Sequence, residues 1–165
     1  MCEQVRILCV DDEVNVLQSL RRMFLDDDYE LLTASSAAEG LEILKREDPV
    51  QIVISDYRMP VMNGVDFFRE VCAKWPDTVR IVLSGYADAA AIVAAINEGQ
   101  IYKFVPKPWN DDELKVTVVN ALEKYRLQKY NALLLDKLSR SNEKLILMMR
   151  SWPNGPRNLC SATES

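Results

Sequence analysis

Four short apolar runs in this chain end on residues able to do chemistry together. VRILCV (5–10) runs into Asp11-Asp12-Glu13, and QIVIS (51–55) runs into Asp56. VRIVLS (79–84) closes on Ser84-Gly85, and YKFV (102–105) is followed, after Pro106, by Lys107-Pro108. Taken singly, each has an ordinary explanation, because aspartate, serine, glycine and proline are common turn residues. Brought into one pocket, three carboxylates repel one another unless a cation sits among them. All-oxygen ligation points to a hard ion, Mg²⁺ (or Mn²⁺), which binds through a few carboxylates plus phosphate oxygens and water. A lysine and a hydroxyl beside that ion would clamp a phosphoryl group, and a carboxylate can act as the nucleophile that carries it.

Whether these residues meet depends on the elements that hold them. A fifth apolar run, Glu30–Ala34, completes five candidate strands (Val5–Val10, Glu30–Ala34, Gln51–Ser55, Val79–Ser84, Tyr102–Val105). Segments of helical period separate them. Glu13–Leu25 places Val14, Leu17, Leu20 and Phe24 on one face, and Ala37–Arg46 repeats Leu41 and Leu44. Val65–Ala73 repeats Phe68, Val71 and Cys72, Ala89–Ile96 repeats Ile92, Val93 and Ile96, and Gly99 fits a helix stop. Strands alternating with helices, and strands apolar almost throughout, predict βαβ units around a parallel sheet covered on both faces. In such sheets ligands bind outside the carboxyl ends of the strands, where strand order reverses. With the order 2-1-3-4-5, Asp11, Asp12 and Asp56 converge, and Ser84 and Lys107 lie on the far side of the pocket.

Composition removes several functions. The 165 residues are 48% hydrophobic and 27% charged, with a net charge of -5; that balance supports a packed core and argues against direct nucleic-acid binding, which needs basic patches. With no histidine, a His-ligated zinc site, a Ser-His-Asp triad and a phosphohistidine carrier are excluded. Cys2, Cys9, Cys72 and Cys160 form no C-x-x-C pair and read as reduced thiols of a cytoplasmic protein. The start, MCEQVRILCV, lacks a basic leader, and the run Leu145–Met149 is too short to cross a bilayer, so no membrane partner is expected.

From Asn110 the pattern changes. Asn110-Asp111-Asp112-Glu113 reads as a cap and an acidic first turn of a helix that meets no Gly or Pro until Pro153. A fold-completing helix needs only the part to about Tyr125. The domains expected are therefore 1–125, a helical extension 126–150 and a disordered tail 151–165. In the extension Leu127, Asn131, Leu134, Leu138, Ser141, Leu145 and Met148 recur at alternating steps of four and three. That seam suits a coiled coil or partner-binding helix; a helix folded back on its own domain is the alternative.

On VDDE (10–13), SDYRMPVMNG (55–64), LSGYAD (83–88) and KFVPKPW (103–109), the chain resembles a CheY-like response-regulator receiver domain of two-component signalling over about residues 5–125. Its wording is nearest to receivers of the hydrogenase-regulator and RpfG-like groups. The resemblance implies a flavodoxin-like (βα)5 doubly wound parallel sheet of order 2-1-3-4-5, here with a long C-terminal helical extension. It implies Asp56 as phosphoacceptor, Asp11, Asp12 and the Arg58 backbone carbonyl completing the metal site, and Lys107 as the phosphate-binding lysine. Ser84 and Phe104 become the switch pair, and Lys107–Pro108 a cis peptide. Arg58 and Tyr86 fall where the family lines the path of attacking water; both are large, which predicts slow self-dephosphorylation. Expected partners are a sensor histidine kinase or phosphotransfer protein, and a second copy through the C-terminal helix or the face formed by the fourth helix, fifth strand and fifth helix.

Rival readings come from other classes. A Mg²⁺-dependent phosphatase of the haloacid-dehalogenase type wants a general-acid Asp two residues after its nucleophile, where this chain has Arg58. That weighs against an enzyme. A phosphorylation-independent scaffold would show missing acidic, acceptor or lysine residues, and all are present. The third alternative is a receiver fragment of a longer regulator, although no output domain is recognisable in this sequence.

Overall fold

Strands and helices alternate without exception in the computed structural model, which describes residues 3–85, 88–98 and 100–154. They are β1 (Val5–Val10), α1 (Val14–Met23), β2 (Tyr29–Ala34), α2 (Ala37–Arg46), β3 (Ile52–Asp56), α3 (Gly64–Lys74), β4 (Val79–Ser84), α4 (Ala89–Asn97), β5 (Lys103–Pro106) and α5 (Asp111–Arg150). The strands form one parallel sheet of order β2-β1-β3-β4-β5, the flavodoxin-like arrangement expected from the sequence. All carboxyl ends therefore lie along one rim, with β1 beside β3.

The three central strands are buried on both faces, which is why their sequences are apolar without alternation. Side chains nonetheless alternate between two cores, following the two-residue period of a strand. Ile7, Cys9, Ile52 and Ile54 pack with Leu17, Leu20, Phe24, Leu114, Val118 and Tyr125 of the α1–α5 side. Leu8, Val10 and Val53 pack with Ile43, Leu44, Phe67, Phe68, Val71 and Ile92 of α2, α3 and α4.

The predicted boundaries shift by one or two residues at several ends, and two face assignments change. Val14 and Val93 are exposed, because the buried arcs run through Leu17, Leu20 and Met23 in α1 and through Ile92 and Ala95 in α4. Three of the helices begin on side-chain caps: Ser36 Oγ accepts from the Glu39 N–H at α2, and Asn63 Oδ1 from the Asp66 N–H at α3. Asn110 Oδ1 accepts from the N–H groups of Asp112 and Glu113 at 2.9 and 3.2 Å. Replacing Asn110 by alanine is expected to cost about 1 kcal/mol in urea unfolding, the usual loss for an N-cap.

Contacts group the chain into one compact unit through Leu127 and another from Gln128. Within the first unit, Tyr125 is the last buried residue of α5; from Gln128 to Arg150 the helix continues with exposed side chains apart from half-buried Gln128. The predicted stop at Gly99, and all but Ser151–Asn154 of the predicted tail, lie outside the described residues.

Candidate functional site

Asp11 leaves β1 with its backbone N–H bonded to the Ala34 carbonyl at 3.1 Å. Its Oδ1 accepts from the Glu13 N–H at 2.8 Å, so the carboxylate is pinned by its own loop. Asp56 is the terminal residue of β3, paired in register with Leu83 of β4, and the next N–H, from Tyr57, donates to the Leu83 carbonyl. Just beyond, α3 starts against this strand end at Gly64, whose N–H donates to Tyr57 O at 2.8 Å. A Cβ on Gly64 would run into the backbone carbonyl of Asp56. Glycine is required there by space.

From the opposite side, the Lys107 N–H donates to the Ser84 carbonyl at 2.9 Å, tying the loop after β5 to the end of β4. The Lys107–Pro108 peptide is cis, as the family resemblance implies; Asp48–Pro49 is cis as well. Lys107 Nζ then bridges Asp11 Oδ2 at 3.0 Å and Asp56 Oδ1 at 3.1 Å. Asp12 is exposed, and one carboxylate oxygen from each of Asp11, Asp12 and Asp56 falls within 4.8 Å of the others. Thus the loop after β1, the end of β3 and the loop after β5, on one sheet rim, bring three carboxylates and an ammonium together.

Electrostatics follow from this packing. Burial pushes the carboxyl groups of Asp11 and Asp56 above the ordinary value for aspartate, and the Lys107 ammonium offsets part of that cost. Burial works against the Lys107 charge too, but its two carboxylate partners win and raise its pKa. A donor set of carboxylates without imidazole fits a hard divalent cation of the Mg²⁺ class. Cys9, buried beneath the site, has its thiol pushed up to about 12, mainly by burial, and offers no thiolate.

Other predicted residues take individual places. Ser84 Oγ lies 3.0 Å from Asp88 Oδ2 and 3.2 Å from the Gly85 carbonyl. Phe104, opposite Val82 in β5, is half-buried against the core on the α2–α4 side. The Arg58 guanidinium grips Asp88 with two prongs, Nε to Oδ2 and Nη2 to Oδ1, both at 3.0 Å. Tyr86 lies outside the described residues. Asp88 is the residue that sequence reasoning passed over. It ends the quoted motif SGYAD, but an aspartate ahead of a helix is the commonest kind of cap, so nothing in the sequence set it apart.

Residues 7–120 match the family model described as "Response regulator receiver domain". Over 126 residues the chain is 45% identical to the hydrogenase transcriptional regulatory protein HoxA of Cupriavidus necator, an alignment covering 76% of this chain and 26% of that one. The chain thus spans about a quarter of the length of the curated relatives it matches. Among solved structures, a response regulator receiver domain protein from Clostridium thermocellum superposes with a TM-score of 0.71 at 33% identity, covering 75% of this chain and 98% of that one. A structure titled adenylate cyclase, from Rhodopirellula baltica, gives a TM-score of 0.78 at 32% identity over 82% of this chain and 99% of that one. No helix among the described residues is long and apolar enough to cross a membrane. With its sheet order, its acidic rim and a family match covering most of its length, this chain belongs to the response regulator receiver domain family.

Proposed function

We propose that this chain accepts a phosphoryl group on Asp56 from a sensor histidine kinase, a phosphotransfer protein or a small acyl-phosphate donor. The observation that carries the reading is Lys107 Nζ held 3.0 and 3.1 Å from Asp11 and Asp56, beside Asp12. A carboxylate oxygen of Asp56 attacks phosphorus, the new P–O bond forms in line, and the bond to the donor breaks with its electron pair leaving on the donor. Lys107 then faces phosphoryl oxygens in place of the lone carboxylate, and the Ser84 hydroxyl donates its proton to one of them. Mg²⁺ or Mn²⁺, held by Asp11, Asp12, Asp56 and the Arg58 carbonyl, would neutralise charge on the transferring group.

The output proposed is a switched surface. Ser84 moving toward the phosphoryl group leaves room for half-buried Phe104 to turn inward, which alters β5 and the flanking α4 and α5. Such a two-state element needs only a few kcal/mol of differential interaction to be switched. Leu127, Leu134, Leu138, Leu145 and Met148 of the extension are all exposed, which supports pairing with a second copy along that seam. The function is one of signalling: the chemistry is confined to the chain's own phosphorylation and dephosphorylation, in the cytoplasm, with no nucleic acid bound directly.

Light scattering after size exclusion, with and without beryllofluoride plus Mg²⁺, tests the output. The expected result is a ligand-dependent doubling of mass that vanishes in Asp56→Ala. An unchanged mass would sink dimerisation as the output and direct attention to a separate partner.

A further inference from the structure

We propose that Asp88 is a positioning residue that latches the resting pocket: its carboxylate holds the Ser84 hydroxyl and the Arg58 guanidinium, and both must change partner to reach a phosphoryl group on Asp56. This rests on the phosphoacceptor reading above. A hydroxyl carries one proton, so while Ser84 donates it to Asp88 Oδ2 at 3.0 Å, the nearer and charged one of its two acceptors (the Gly85 carbonyl is at 3.2 Å), it has none for a phosphoryl oxygen. The two-pronged Arg58–Asp88 pair is the same fork geometry that guanidinium offers phosphate, so a phosphorylated Asp56 two residues away competes for it directly.

Asp88 is not an incidental surface anion. Its side chain is only 12% exposed against 70% for Arg58, and the Arg58 guanidinium, followed by the Ser84 hydroxyl, holds its carboxyl below the ordinary aspartate value. It also stands at the N-cap of α4 without making a side-chain bond to that helix. The helices α2, α3 and α5 receive such a bond, from Ser36, Asn63 and Asn110, whereas α1, behind Glu13, and α4 do not. A residue type suited to capping is thus engaged with the pocket instead of its own helix. Once Ser84 and Arg58 leave it, the same carboxylate is free to cap α4, and the first turn of α4 is coupled to the state of Asp56.

Titration calorimetry of the full chain with beryllofluoride at fixed excess Mg²⁺ tests the latch. Asp88→Ser removes the charge but keeps a capping hydroxyl, and is expected to bind beryllofluoride roughly three- to tenfold more tightly than wild type, the usual scale for one or two released hydrogen bonds. Asp88→Asn, which can still accept from Ser84, is expected to gain less. In an Arg58→Ala/Ser84→Ala background the same Asp88→Ser change should alter affinity by no more than about twofold, because its partners are gone. A thermal melt of each variant checks that it is folded. Unchanged or weaker binding by Asp88→Ser overturns the latch, and so does a gain that persists in the double-variant background. Failure of wild type itself to bind beryllofluoride overturns the phosphoacceptor reading, and the latch with it.

Discussion

In Asp56→Asn, incubation with a small acyl-phosphate donor and Mg²⁺ leaves no added phosphoryl group by intact mass, whereas the wild-type chain gains one that alkaline hydroxylamine removes. This is the largest effect expected, an all-or-none loss, because an amide oxygen is a poor nucleophile and the remaining carboxylates are already engaged or exposed. Asp11 is pinned by the Glu13 N–H, and Asp12 lies on the outer side of the cluster. Label that persists at another aspartate would overturn the assignment of Asp56. The same substitution is expected to stabilise the fold at neutral pH. Burial holds the Asp56 carboxyl above its ordinary value of 3.8, so the native state binds that proton more tightly than the unfolded chain does. Stability contributed by this group therefore falls as pH rises through the raised native value, and the full penalty is present at neutrality. Asparagine carries no such penalty. Its advantage over wild type should be visible in the urea midpoint at pH 7, should shrink as pH falls from the raised native value toward 3.8, and should be gone below 3.8, where both side chains are neutral. A lower midpoint for Asp56→Asn at pH 7 would mean that the Lys107 ion pair outweighs the burial cost.

Gly64→Ala is expected to lower stability by about 3 kcal/mol, the upper part of the range for an overpacked site, and to slow phosphorylation although every pocket residue is still present. The added methyl group would meet the Asp56 carbonyl and lie 3.0 Å from the Tyr57 Cα, both backbone positions. No side-chain rotation relieves such a clash, so the start of α3 or the end of β3 must shift, and the end of β3 carries the phosphoacceptor. Gly40→Ala supplies the comparison. Its methyl group would meet side-chain atoms instead, Val10 Cγ2 at 3.1 Å and Phe67 Cζ at 3.2 Å, which can give by a few tenths of an ångström. Gly40 lies in α2, remote in sequence from the acceptor, so labelling should be spared there. Equal losses of labelling in the two variants would show that lost stability, rather than a displaced Asp56, accounts for the effect.

Much of this protein is written in local patterns. The five apolar runs predict the five strands to within about a residue at each end; β1, β3 and β4 are apolar almost throughout because both their faces are covered, and the edge strands β2 and β5 are half-buried. The switch from strand to helix period, together with the Asn110 cap, locates α5. Five candidate pocket residues could be listed because each terminates a strand, and parallel topology collects strand ends along one rim. Face assignments fared less well at Val14 and Val93, since a ten-residue helix offers more than one apolar arc and the sheet decides which one is covered.

The sequence by itself determined the element order, the acidic and basic residues of the rim, and the exclusion of histidine chemistry, since these depend on residue type and short-range spacing. Tertiary structure alone decided that Lys107 reaches both Asp11 and Asp56 across 96 and 51 residues of chain, a matter of which strands are neighbours. It also decided where the negative charge of Asp88 is spent. An aspartate ahead of a helix can serve its own N–H groups or side chains arriving from other loops, and spacing along the chain is the same in either case. Only the approach of Ser84 from β4 and Arg58 from the loop after β3 turns that carboxylate from the helix to the pocket.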